Sequence, residues 1–298
     1  MTSKFNPGTR PRVACEIAAD GVIAARMADS GGVVELCAAG GLAESSLVPD
    51  LMESNLRQRD AVLRTLGETL STVSGRSRDV IAVLPDAAVR VVLLDFETLP
   101  TKPAEAEGVV RFRLKKSLPF DVDKARVSYQ AQTSAAGVRV IAAVSLLTVI
   151  EEYESAFREA GYSPGVVLPS MLAALGAAQA DRPTMVIKVD TRTTSIAIMD
   201  QQQLLLFRTI ENAHGVKISG EELAEEVYPS VVFFQDTYQL NLEQIFVAGL
   251  AETGGAFSAL QSQTGARVSE LVSSSQLSGG TGSIPKWRMG GVVGALLS

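Results

Sequence analysis

An acid at Asp190, followed by the hydroxyls of Thr191, Thr193, Thr194 and Ser195, lies in KVDTRTTSIAIMD, which runs from Lys188 to Asp200 between two β-rich runs. A polar turn of this kind can wrap a phosphate, with the acid orienting water around Mg²⁺. The turn holds no glycine, however. Its β-branched residues resist the left-handed backbone that phosphate-wrapping loops often use. Asp190 can equally cap its own turn through an Asx hydrogen bond. Other chemistry is scarce. One histidine, His214, and two cysteines, Cys15 and Cys37, cannot assemble a histidine-rich or Cys/His metal site. No GxSxG elbow accompanies the histidine, and neither GxxxxGK[ST] nor GxGxxG occurs. The basic run RFRLKK places Arg111, Arg113, Lys115 and Lys116 around Phe112 and Leu114. It reads either as a surface for anionic lipid or an acidic tail, or as a solvated helix face whose apolar residues enter the core. In the C-terminal KWRMGGVVGALLS, Trp287 stands between Lys286 and Arg288 as in an interfacial anchor. Gly290, Gly291 and Gly294 weaken a membrane helix and favour a segment docked on the core.

The elements that must position these residues follow from periodicity. RVACEI, VIAARM and VVELCAA are short β-rich runs joined by glycine-bearing turns, which predicts an antiparallel meander. Leu51, Leu56, Val62, Leu63, Leu66 and Leu70 recur at helical spacing up to Val73. Strands are expected at DVIAVLP, VRVVLLDF, VSYQAQ and VRVIAAVS, the last two joined by a turn at Ala136-Gly137. Helices are expected over about 104–117, 148–160 and 170–180. A break at Arg182-Pro183 then precedes a restart: MVIKVD, TSIAIM and LLLFRTI repeat the meander. A helical run from Ser219 to Leu240 follows, and Pro229 should kink it or split it near Tyr228. QIFVAGL, a helix near Phe257 to Gln263 and a loop at VSSSQLSGGTGSIP complete the chain. Two halves with the same opening suggest a duplicated α/β fold around a cleft.

Composition bounds the function. At 298 residues, with 46% hydrophobic and 20% charged, the chain is globular and long enough for two lobes. Thirty-three acids against 27 bases give a net charge of −6, so nucleic acid is not an expected partner. The longest apolar run, Val140 to Ile150, is broken by Ser145 and Thr148. It falls short of the roughly 20 residues that span a bilayer. The polar start, residues 1–12, reads as a flexible tail without the apolar core of a secretory signal. Two cysteines on strand-like segments suit reduced thiols in a cytoplasmic protein.

Several pieces then occur in a telling order: Leu99-Pro100, a helix ending in Leu118-Pro119-Phe120, REAGYSP at 158–164, VDTRTTSIAI, LLLFRTI, VYPSVVFFQDTY and IFVAG. With them the chain, from Val13 to Leu296, resembles the PilM family of type IV pilus assembly proteins, within the actin-like ATPase superfamily. The resemblance implies an α/β, two-lobed actin-like (ribonuclease H-like) fold with an inserted FtsA-type subdomain. Lobe one would cover 13–183, including the insert at 79–164. Lobe two would cover 184–298, with 285–298 packing back on the first. It implies a cytoplasmic scaffold at the inner membrane that binds the N-terminal peptide of a PilN-like membrane protein, beside other pilus platform and motor proteins. Arg111, Lys115, Leu118, Pro119 and Phe120 would serve that partner.

The same resemblance assigns a nucleotide cleft to Glu16, Asp190, Thr191, Thr193, Thr194 and Gly249, with Asp190 at the acid position of the second phosphate loop. The sequence departs from the family there. Glu16 replaces an Asp, Ala18 a glycine and Ile23 a lysine in the first loop. Thr191 or Arg192 stands for a glycine in the second, and Ala248-Gly249-Leu250 keeps one glycine of a pair. A clamp without glycines desolvates a triphosphate without returning its hydrogen bonds. The expectation is a non-hydrolysing scaffold without a cofactor. ATP and Mg²⁺ on Asp190, Thr193 and Thr194, a polymer, and the cytoplasmic half of a GspL-type secretion protein remain as alternatives.

Overall fold

The structure, a computed structural model, describes residues 10–134, 137–278, 281–282 and 284–298. Most of the expected N-terminal tail, Ala136 of the predicted turn, and Gly279, Gly280 and Ser283 of the predicted loop lie outside the described residues. The first lobe opens with β1 (Val13–Ala18), β2 (Gly21–Met27) and β3 (Val34–Gly41), the predicted meander, followed by α1 (Arg59–Val73) and β4 (Asp79–Leu84). A separate unit comes next: β5 (Arg90–Phe96), α2 (Pro103–Leu114), β6 (Ala125–Ser134) and β7 (Gly137–Leu146). Then α3 (Leu147–Glu159), β8 (Ser163–Pro169) and the short α4 (Ser170–Ala174) close the lobe. The second lobe runs β9 (Thr184–Val189), β10 (Thr193–Asp200), β11 (Gln203–Glu211), α5 (Gly220–Tyr238), β12 (Gln244–Ala248), α6 (Thr253–Thr264), β13 (Arg267–Glu270) and α7 (Gly290–Leu297).

The two lobes share one topology. Their sheets have the orders β3-β2-β1-β4-β8 and β11-β10-β9-β12-β13, each an antiparallel meander continued by two parallel strands. The third sheet, β5-β7-β6, packs α2 on one face through Val110, Leu114, Val140, Ala142 and Val144. This narrows the insert expected at 79–164. Both β4 and β8 pair inside the first lobe's sheet, so the added unit runs from Arg90 to Leu146. Helices α4 and α7 lie between the lobes, where Met171, Ala173, Val292, Val293 and Ala295 share a core with Ala14 and Ile81 of one sheet and Val186 and Ala197 of the other. Segment 285–298 thereby packs against β1, β2 and β4.

Three local differences from the sequence expectation have physical causes. The helix predicted from Leu51 starts only at Arg59, because side chains pin residues 50–56 into turns. Asp50 accepts the N–H groups of Met52 and Glu53, buried Asn55 donates to the carbonyls of Asp50 and Glu53, and Glu152 accepts from the N–H groups of Asn55 and Leu56. Such side-chain bonds compete directly with helical ones. Of the two outcomes expected at Pro229, the split does not occur: α5 runs through it as one helix of 19 residues. A capping box at Ser219 and Glu222 fixes its start, and the buried face of Leu223, Val227, Val231 and Phe234 outweighs the lost backbone bond. Strand β8 begins Ser-Pro-Gly and went unpredicted; as an edge strand it tolerates Pro164, and its register jumps at Gly165.

Candidate functional site

Strands β1 and β9 occupy equivalent central places, and alternate side chains on each face the other lobe. Ala14 and Val186 are those residues in the shared core, and two positions further on come Glu16 and Lys188. The hairpin registers fix the equivalence. Glu16 pairs with Ile23 and Ala18 with Gly21 across β1–β2. Lys188 pairs with Ser195, and the Asp190 N–H bonds the Thr193 carbonyl at 2.8 Å, across β9–β10. Glu16 therefore matches Lys188, and Ala18 matches Asp190. By register, then, Lys188 rather than Asp190 is the counterpart of Glu16, and Asp190 stands where the first loop has its small residue.

These two residues meet. Lys188 Nζ lies 3.1 Å from Glu16 Oε1, with side chains 9% and 6% exposed, so a buried ion pair joins the lobes at the centre of the cleft. The Ser170 hydroxyl donates to the same Oε1, while Glu16 Oε2 has no hydrogen-bond partner. Oε2 sits against α7, where a Cβ on Gly291 would be 2.3 Å away. Buried Asp86, just beyond β4, makes a second link: it accepts the Met171 N–H of lobe one and the Ser195 hydroxyl of lobe two, each at 2.8 Å. Burial pushes its carboxyl up to about 6, against the opposing pull of Lys188 and its two donors. For Lys188 burial works against the charge, but the carboxylates of Glu16, Asp190 and Asp86 outweigh it, and its pKa is raised.

The other predicted cleft residues are committed locally. Asp190 Oδ1 accepts the Thr191 N–H at 2.6 Å and its hydroxyl at 3.3 Å, a bond to the next residue rather than the bond two residues on that an Asx turn makes. Buried Thr194 donates to Glu226 and accepts from Asn212, and Thr193 is buried in the strand. Gly249 has φ +88°, donates its N–H to the Trp287 carbonyl at 2.8 Å, and has no room for a Cβ, which would fall 1.8 Å from the Val189 carbonyl oxygen. Together Glu16, Lys188, Asp190, Thr191, Gly249 and Trp287 line a cavity of only about 40 Å³. At ~10–15 Å³ per water it holds a few waters. A triphosphate does not fit this small cavity: the Lys188–Glu16 pair occupies it and the turn offers no glycine nest. A larger cavity of about 1040 Å³ adjoins the same turn, lined by Asp50, Asp86, Arg90, Thr191, Thr193 and Arg208.

Sequence reading missed Lys188, Asp86 and Ser170. A signal existed for the first, since a lysine inside MVIKVD, a strand buried on both faces, demands a partner. Asp86 and Ser170 become part of the site only through pairing across the sheet. The five residues expected to meet a partner lie elsewhere. Arg111 is bonded to Glu107 at 2.8 Å and to the Val122 carbonyl, Lys115 lies 3.6 Å from Asp123, and Leu118 and Phe120 pack on the α2 face of the small sheet. The opposite face of that sheet opens a groove of about 440 Å³ towards the first lobe. It is lined by Arg126, Ser128 and Ala143 on one side and by Glu154, Pro164 and Val167 on the other. None of the five predicted residues lines it.

No protein-family model matches the chain, and no curated protein matches it by sequence. Among solved structures it is similar to a PilM–PilN type IV pilus biogenesis complex, with 19% identity over 96% of this chain and 97% of that one and a TM-score of 0.76. It is also similar to the ethanolamine utilization protein EutJ from Carboxydothermus hydrogenoformans, at 10% identity over 98% and 92% of the two chains and a TM-score of 0.50. A weaker likeness joins it to the cytoplasmic domain of EpsL, an inner-membrane component of the type II secretion system of Vibrio cholerae. There the identity is 12% over 88% and 98%, with a TM-score of 0.49. At such identities the shared property is the fold, and the fold is the two-lobed actin-like one.

Proposed function

We propose that this protein is a non-hydrolysing actin-like scaffold of a type IV pilus platform, which captures an extended segment of a PilN-like membrane protein and keeps its lobes closed without nucleotide. The Glu16–Lys188 pair carries the non-hydrolysing half of this reading. In an ATP-binding clamp the phosphates and Mg²⁺ supply the charge that joins the lobes; here a tethered ammonium and a carboxylate join them instead. Likeness to the PilM–PilN complex along nearly the whole of both chains supports the pilus half. Among the described residues no helix is long and apolar enough to cross a membrane; in this reading the partner supplies the membrane span.

The groove between the small sheet and the first lobe suits such a segment. Strands β6 and β8 are the outer strands of their sheets, so both can accept a further strand by backbone pairing, with the groove's side chains selecting the sequence. Arg126 and Glu154 bracket it with opposite charges, which would orient the peptide. A pull-down with this chain as bait should retain a membrane protein, and a peptide copying that protein's first residues should compete for it. Val167→Pro, which removes an N–H from the β8 edge, should weaken the peptide at least tenfold. Survival of the complex after deletion of those first residues, or cross-links confined to the second lobe, would overturn the assignment.

A further inference from the structure

The basic run divides in an unexpected way on α2. Leu114 is fully buried, whereas Phe112 points outward and at 67% exposure is the most exposed large apolar side chain among the described residues. Val109, one turn earlier, is exposed beside it, and Gly108 adds a position with nothing near its missing Cβ. Arg113, Lys115 and Lys116, all exposed, follow Phe112 within four residues. The acids of the helix lie further back: Glu105 is paired with Lys102 and Glu107 with Arg111. Lys115 reaches Asp123 only at 3.6 Å, and Arg113 lies over the Phe96 ring. Cations in the last turn of a helix complement its dipole. That does not account for an aromatic ring held in water among them.

We propose that this outer face of α2 rests on an anionic bilayer surface, with Phe112 at the headgroup boundary and Arg113, Lys115 and Lys116 among the lipid phosphates. Charge selects the occupant: a local excess of cations on a chain of net charge −6 is attracted to a negative surface while the rest of the molecule is repelled, which sets its orientation. One aromatic and three cations bind weakly alone. Joined to a partner that already lies at the membrane, they act as the second of two anchoring signals.

Sedimentation with vesicles tests this without any partner protein, so its outcome is separable from the peptide reading. The full chain should be retained on phosphatidylglycerol–phosphatidylcholine vesicles at low salt and released by salt, with little retained on phosphatidylcholine alone. Lys115→Glu with Lys116→Glu should reduce retention at least about tenfold, given the worth of each cation near such a surface. Phe112→Ser should reduce it several-fold at the wild-type melting temperature, because the side chain is exposed; the charge reversal, which sets acids at the helix C-terminus near Asp123, should lower that temperature only slightly. No retention of the wild type, equal retention on both vesicle types, or retention unchanged in either variant would overturn the proposal. Capture of a protein by this face in the absence of lipid binding would do the same.

Discussion

A lysine at position 188 is charged where burial opposes charge, and it survives because carboxylates surround it. Removing either member of a buried pair leaves the other uncompensated, which costs about 3–5 kcal/mol. Lys188→Met and Glu16→Gln should each destabilise by about that much, while the double variant should lose far less than the sum, because the orphaned charge disappears. Denaturant melts of the four proteins measure this; additive losses would show that the pair is not coupled. Asp86 gives a pH test. Its folded pKa, about 6, is raised above the unfolded value. Its favourable contribution is therefore fully present below the unfolded pKa, near 4, and is lost as pH rises through about 6. Asp86→Asn removes that dependence. Relative to wild type the variant should gain by as much as about 3 kcal/mol between pH 4 and pH 7, following ~1.4 kcal/mol per pH unit. A wild-type minus variant difference that stays flat over this window would contradict the assignment.

At the scale of elements, the sequence is legible wherever periodicity is local. Both meanders, the helix of the small unit and the break at Arg182-Pro183 follow from apolar alternation, helical spacing and turn residues. Long-range pairing is what escapes. The false helical reading of residues 51–58 could be corrected only by seeing that Asn55 is held by Asp50 and by Glu152, some hundred positions away. The role of Lys188 escaped similarly, since its equivalence with Glu16 is a matter of strand register rather than residue type. Pro229 supplies a prediction. Its position in α5 is exposed and lacks the N–H that would bond Glu225, so Pro229→Ala should raise stability by about 1–3 kcal/mol, read as a higher melting temperature. Between the lobes, α4 and α7 approach so closely that a Cβ on Gly294 would lie 2.2 Å from the Ala173 carbonyl oxygen. Gly294→Val must separate them; a protein that melts as the wild type does would refute that packing.

For the whole molecule, duplication gives two lobes of one topology, and their shared core alone does not dictate whether the cleft opens. In this chain three features close it: the Glu16–Lys188 pair, Asp86 bonded into both lobes, and α7 laid against Glu16. Ligand-driven switching requires a differential affinity between open and closed states. With Lys188 and Glu16 paired where the phosphate loops of the two lobes meet, the proposed reading leaves nucleotide no part in that switching. The proposed inputs, a partner peptide and a membrane surface, would act on the added unit from Arg90 to Leu146 and on the edge of the first lobe. Isothermal titration of the wild-type protein with ATP and Mg²⁺ is the most direct test. The closed, self-paired cleft predicts no saturable heat up to millimolar nucleotide; micromolar, Mg²⁺-dependent binding of one nucleotide per chain would contradict it.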